Sequence, residues 1–102
     1  MIRRAVLFAP EARADIFALY DWIADAASPA VALAYVERIE AHLNAFDVAS
    51  QRGTRRDDVR PGLRVVGFER RLTVAFTVSD ASVTILRVFH GGQDWSAVLS
   101  AP

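Results

Sequence analysis

The chain contains no cysteine and no lysine. Without cysteine, disulfides and thiolate metal sites are excluded, and a reducing compartment is the expected setting. No apolar run approaches the ~18–20 residues that a membrane-crossing helix needs. Met1 to Phe8 is too short an apolar stretch for a secretory signal, and Pro10 and Glu11 follow at once. A cytoplasmic protein without membrane contact is expected. Gly91-Gly92 ends a strand and opens no long helix, so no phosphate-cradling loop is present. No serine sits in a nucleophile-elbow context. Two histidines without close carboxylate spacing do not make a metal site, and no cofactor is expected.

What is present is one domain's worth of chain, 102 residues against a prior of ~100–200 per domain. Apolar residues make up 53%, but 18 of them are alanine, so the large core formers are fewer than that figure suggests. Twelve arginines balance twelve acids, and the zero net charge hides a basic middle. Residues 50–71 carry seven arginines (52, 55, 56, 60, 64, 70 and 71) against three acids. The flanking segments are both net acidic.

Ile2 to Phe8 alternates, with Ile2, Arg4, Val6 and Phe8 on one face, which predicts a strand. Pro10 is tolerated at a first helical position because its missing N–H needs no partner there. From Glu11 to about Ala27, the residues Ala12, Ile16, Leu19, Tyr20, Ile23 and Ala27 repeat at helical spacing, with Phe17 and Trp22 on opposite flanks. Ser28-Pro29 is a second helix start, a hydroxyl cap followed by Pro. That helix runs to about Phe46 with Ala32, Tyr35, Val36, Ile39, Leu43 and Phe46 as its apolar stripe. So short a link makes the two helices an antiparallel hairpin.

Periodicity is lost over residues 47–62. Three strands follow, Leu63 to Phe68, Leu72 to Val78 and Val83 to Phe89, joined by tight turns at Glu69-Arg70 and Asp80-Ala81. Asp94 is placed to cap a last short turn in which Trp95, Val98 and Leu99 share a face. The expected fold is α+β in two layers, β-α-α-β-β-β, with the helical hairpin packed on a mainly antiparallel sheet. Residues 1–102 form a single domain with a C-terminal tail from about residue 91.

In order and spacing, several stretches resemble the RelE/ParE toxin superfamily of type II toxin–antitoxin systems, and its ParE-like branch in particular. They are Ala9-Pro10-Glu11-Ala12-Arg13-Ala14-Asp15-Ile16 entering the first helix, Arg52-Gly53 and Gly62-Leu63-Arg64 before the sheet, and Ile85-Leu86-Arg87-Val88-Phe89-His90-Gly91 with Asp94. The resemblance covers roughly residues 1–96. It implies a toxin held inactive by a small ParD-like antitoxin with an acidic C-terminal segment, and plasmid stabilization as a setting. ParE-like members act on DNA gyrase without a known catalytic site. RelE-like members cut mRNA on the ribosome, but the lysines and C-terminal tyrosine or basic cluster of that branch are missing here.

On this reading the antitoxin covers Phe17, Tyr20, Trp22 and Tyr35 and pairs with Arg64 or Arg87. The C-terminal residues His90, Asp94, Trp95, Val98 and Leu99 are the expected contact with gyrase. The alternative is a ribonuclease using Arg64, Arg87 and His90, with His90 moving the proton and arginine clamping the phosphate. Against it stands a plain role for the same residues: Arg87 paired with Asp94 or a backbone carbonyl, and His90 hydrogen-bonded at a strand end. His42, on the flank of the second helix, is read as a packed or solvated surface residue. The arginine run is interrupted by Asp57 and Asp58 and has no interleaved aromatic residue, so internal pairing is favoured over a nucleic-acid track. Trp95, Val98 and Leu99 are open to two readings, a tail folded back on the sheet or a surface offered to a partner.

Overall fold

The computed structural model describes residues 3–48, 51–91 and 95–100. Its elements are β1 (Ala5–Phe8), α1 (Pro10–Ala26), α2 (Pro29–Asn44), a 3-10 turn (Ala45–Asp47), β2 (Thr54–Arg55), β3 (Leu63–Phe68), β4 (Leu72–Val78), β5 (Ser82–His90) and α3 (Trp95–Ser100). The five strands form one mixed sheet in the order β1-β5-β4-β3-β2. β1 runs parallel to β5, and the other pairs are antiparallel. The expected α+β architecture is therefore present, with β2 as an additional short edge strand.

Helix boundaries follow their start signals. α1 opens on Pro10, and the Ala9 carbonyl accepts the Ala12 and Arg13 N–H groups. α2 is capped by Ser28, whose hydroxyl accepts the Val31 N–H at 3.1 Å. All six residues of the α2 stripe are buried, Phe46 from within the 3-10 turn. On α1, Ala12, Ile16 and Leu19 are buried, while Ala27 is exposed because the helix ends before it. β1 is shorter than its alternation predicts. β5 begins only at Ser82, and the Arg4 N–H leaves the ladder to bond the Asp47 carbonyl at 2.7 Å.

The sheet has two apolar faces. Val74, Phe76, Val83, Ile85 and Val88 join the stripes of α1 and α2 in the main core. On the opposite face, Leu63, Ala75 and Phe89 pack with Leu99 of α3. The helices thus lie on both sides, and α3 makes a partial third layer. The change of face along β5 comes from a bulge. Phe76 pairs with Ile85 but Ala75 pairs with Arg87, so Leu86 is the extra residue. A bulge reverses the parity of everything after it, which is why Val88 faces the same core as Ile85.

Two turns carry backbone strain. Glu69 and Arg70 have φ of 50° and 59°, and the Arg71 N–H bonds the Phe68 carbonyl at 3.0 Å. This is the type I′ geometry that suits a hairpin's twist, occupied here by two bulky residues. Gly53 has φ of 74°, and a Cβ there would lie 2.3 Å from the Val65 carbonyl oxygen. Only glycine lets β2 come alongside β3 at that point.

Candidate functional site: a helix groove and a strand-end junction

The face between α1 and α2 holds an apolar groove of about 600 Å³. Ile16, Phe17 and Tyr20 line it from α1, and Leu33 and Val36 from α2. Phe8 of β1 joins them, with the Arg13 guanidinium 5.5 Å from its ring centroid. Phe17 is 72% exposed and Leu33 is 52% exposed. Arg13, Asp21 and Glu40 supply the polar lining. Apolar side chains left open at a groove between helices are the usual receptacle for an amphipathic segment of another chain.

The second region forms where β1 ends. β1 pairs with β5 only as far as Ile85, so beyond that point β5 lacks a strand neighbour on this side. Asp15 of α1 takes the vacant place. One of its carboxylate oxygens accepts both the Val88 N–H at 2.9 Å and the Arg87 Nε–H at 2.7 Å. The other accepts Arg87 Nη2 at 3.0 Å. The carboxylate thus satisfies a strand N–H and a guanidinium at once. The hydrogen bonds that Arg87 donates to Asp15, together with the charges of Asp15 and Glu11, hold the Arg87 pKa above its ordinary value against the opposing effect of burial. Arg87 also lies 5.0 Å from the Phe89 ring centroid. Among the described residues its partner is therefore Asp15, which had no role in the sequence reading, and not a backbone carbonyl; Asp94, the other expected partner, lies outside them.

One turn before its end, α1 presents Trp22. Its ring stacks on the imidazole of His90, with centroids 5.5 Å apart and planes 19° apart. Two residues expected on separate surfaces therefore form one aromatic platform. Trp22 does not share the groove with Phe17 and Tyr20. Tyr35, expected on the docking face, is only 6% exposed and lies edge-on to Phe68 at 6.3 Å. It is one of the core residues beneath α2, because its position in the stripe points it at the sheet.

The remaining arginines are mostly held within the chain. Arg52 donates to the Val48 carbonyl at 3.1 Å and lies over the Phe46 ring. Arg64 donates to the Arg52 carbonyl at 3.3 Å. Arg55 pairs with Asp57 and Arg56 with Asp58. Arg60 donates to the Leu99 carbonyl at 3.2 Å. These contacts agree with internal pairing of the basic middle and knit the loop before β3 to α3.

Arg64 lies in register with Phe76, which belongs to the core beneath α1 and α2. Arg87 lies in register with Ala75, which belongs to the opposite face. Residues directly paired across strands share a face, so the two side chains leave their strands on opposite faces, and the Arg87 guanidinium turns at the sheet edge to Asp15 of α1. Of the expected target contacts, Leu99 is 5% exposed and anchors α3, whereas Val98 is 46% exposed. Asp94 and the side chain of Trp95 lie outside the described residues.

His42 packs between Phe46 and Phe68, with ring centroids 5.3 and 4.8 Å away, and its Nε2 is buried without a hydrogen-bond partner among the described residues. Burial and, secondarily, the Arg52 charge lower its pKa, with Glu69 opposing them. Among the described residues no helix is long and apolar enough to cross a membrane, and no group of three or more His, Cys, Asp or Glu is placed to hold a metal.

Comparison with curated protein sequences gave no match. Among solved structures, the chain is similar to one described as the chromosomal ParDE toxin–antitoxin system from P. aeruginosa. The TM-score is 0.76 and the identity 25%, over 88% of this chain and 98% of that one. It shares its fold with a chain of the RelBE2 toxin–antitoxin complex from Mycobacterium tuberculosis, at TM-score 0.60 and 20% identity over 91% and 97% of the two chains. A family model described as the ParE toxin of the parDE type II toxin–antitoxin system matches residues 6–95, which span β1 to the start of α3. The chain therefore belongs to the ParE toxin family.

Proposed function

We propose that this protein is the toxin of a type II pair, neutralised by a ParD-like antitoxin that lays an amphipathic segment in the groove between α1 and α2. The observation that carries the reading is the exposure of Phe17 and Leu33 on the groove. A soluble domain gains nothing from two open apolar side chains there unless a partner covers them. Phe17 and Tyr20 are the antitoxin contacts, with Arg13 available to an acidic side chain of the partner. Arg64 and Arg87 contribute through the fold, since their guanidiniums are already bonded within the chain.

The toxin acts by binding DNA gyrase in the cytoplasm, not by catalysis, with His90 and the exposed side of α3 as the contact. Separation of Arg64 and Arg87 onto two faces supports binding over ribonucleolysis, because phosphoryl chemistry needs its cations converged on one phosphate. Leu33→Glu tests the groove. The side chain is half out of the core, so the variant folds, yet it puts a charge in the docking surface. The variant should remain toxic while losing both co-purification with the antitoxin and rescue by it. Retention of both would refute the groove as the docking site. Supercoiling and translation assays run side by side on one protein preparation test the target. Loss of translation with intact supercoiling would overturn the gyrase assignment.

A further inference from the structure

A second, smaller pocket of about 190 Å³ lies where the start of α1, the loop before β3, the bulge of β5 and α3 meet. Glu11, Arg60, Leu86, Arg87, Val98 and Leu99 line it, and it shares no residue with the groove. Its two guanidiniums are each only partly spent. Asp15 takes Nε and Nη2 of Arg87, and the Leu99 carbonyl takes Nη2 of Arg60. Nη1 of Arg87, and Nε and Nη1 of Arg60, donate to nothing among the described residues. The contacts already made hold both side chains, so less rotamer entropy is left to lose when a ligand arrives.

Glu11 accepts no hydrogen bond and pairs with neither arginine among the described residues. Leu86, Val98 and Leu99 supply an apolar wall, and Val98 is 46% exposed. The pocket thus offers uncommitted donors, an uncommitted carboxylate and aliphatic surface. It is smaller than the ~300–1,000 Å³ of sites for drug-sized ligands, which suits a ligand of about one amino-acid residue. The last residue of a polypeptide carries the complementary set. Its carboxylate fits a planar guanidinium, its backbone N–H fits a carboxylate, and an aliphatic side chain fits the wall. Charge narrows the class further. Arg87 is offset by Asp15 and Arg60 by Glu11, so the pocket has no surplus positive charge for a phosphate dianion. A free amino acid brings an ammonium with three donors, whereas the lining side chains hold one uncommitted carboxylate.

We propose that this pocket captures the C-terminal residue of a partner protein, an aliphatic one. Its carboxylate lies on Arg60 and the spare Nη1 of Arg87, its N–H on Glu11, and its side chain against Leu86 and Val98. A terminus held here leaves the groove open.

Titration of the full chain with N-acetyl-leucine, followed by heteronuclear NMR, tests the proposal. The backbone N–H signals of Leu86, Val98 and Leu99 should shift saturably. N-acetyl-leucinamide, which lacks the carboxylate, and N-acetylglycine, which lacks the side chain, should each bind about tenfold more weakly. Free leucine should also bind more weakly, and inorganic phosphate should leave the signals in place. A pentapeptide ending in leucine with a free carboxylate should bind at least as well as N-acetyl-leucine. Arg60→Gln should weaken N-acetyl-leucine about tenfold and leave the amide unchanged; an effect transmitted only through the Leu99 carbonyl would weaken both alike. Val98→Asp should abolish binding, and Leu33→Glu in the groove should preserve it. The proposal is overturned if no saturable shift occurs, or if the amide, N-acetylglycine or phosphate binds as well as N-acetyl-leucine. Tighter binding of free leucine, or exclusion of the pentapeptide, overturns it by marking a free amino-acid site. It is equally overturned if Arg60→Gln or Val98→Asp is silent, if Arg60→Gln weakens acid and amide alike, or if Leu33→Glu removes binding.

Discussion

Replacing Asp15 with alanine removes three hydrogen bonds, two from Arg87 and one from the Val88 N–H. The side chains of Arg87 and Asp15 are 27% and 16% exposed, so water only partly replaces what is lost. Breaking a fully buried pair costs ~3–5 kcal/mol because an uncompensated charge stays behind. Discounting for the exposed quarter of the guanidinium, and allowing for the orphaned strand N–H, gives roughly 2–3 kcal/mol. For a domain of this size that lowers the melting temperature by roughly 10–20 °C. Asp15→Asn keeps an acceptor but loses the charge and should cost about half as much. Urea titrations of Asp15→Ala, Arg87→Ala and the double variant then separate the contributions. The double variant should be less destabilised than the sum of the single ones by about 1 kcal/mol, because the stranded guanidinium is gone from it. A loss below ~0.5 kcal/mol for Asp15→Ala, or strict additivity, would show that the carboxylate is not replacing the missing strand. The same series bears on function. If toxicity of Arg87→Ala falls only in step with folded fraction, the arginine acts through the junction and not at a target.

Gly53→Ala should destabilise by about 2 kcal/mol or more, through the positive φ and the overlap with the Val65 carbonyl, and a chemical melt reads it directly; an unchanged midpoint would mean that β2 is not held against β3. His42 gives a pH dependence of definite sign. Its pKa in the folded chain is lowered from 6.5, so the stability linked to its neutral form is complete above that value and is lost as the pH falls below it. The melting temperature should drop between pH 7.5 and 5.5, and His42→Phe should remove most of that drop; equal slopes for both proteins would refute the assignment. Glu69, whose carboxylate accepts two hydrogen bonds from Arg38, has its pKa lowered chiefly by that contact. Its contribution is present above 4.5 and is lost only on further acidification, so Glu69→Gln should leave the step between pH 7.5 and 5.5 in place.

How much of this was legible in the residues depends on the length of the signal. The α2 stripe spans six positions at one period, and the structure buries all of them. The β3–β4 and β4–β5 hairpins were equally readable, because short alternating runs around tight turns leave few alternatives. β2 was not, since two residues carry no period. The bulge at Leu86 has no glycine to mark it, and the parity of Val88 follows from it. Asp15 did leave a trace: it stands three residues after Ala12 and four before Leu19, at the border of the α1 stripe. A carboxylate in that position needs a buried partner. Which partner it takes is set by β1 stopping short of β5's end, a property of two distant strands. The pairing of Trp22 with His90 was hidden for the same reason, because helix flank and strand end meet only once α1 crosses beyond β1.

The register of the sheet also bears on what kind of toxin this chain can be. A phosphate in flight needs donors ~3 Å from its oxygens on the side where charge develops. Here Arg64 and Arg87 sit two strands apart, separated by ~10 Å in the hydrogen-bonding direction, and on opposite faces. Moving one of them to the other's face requires a one-residue slip, which would also turn the core side chains of that strand outward. The bulge at Leu86 already makes such a shift once, and Asp15 fixes its result by taking both the Val88 N–H and the Arg87 guanidinium. If Arg64 and Arg87 nevertheless acted on one phosphate, their alanine variants would be non-additive in a cleavage assay, each costing nearly as much as both. On the reading developed above, their effects on toxicity are independent and track stability alone.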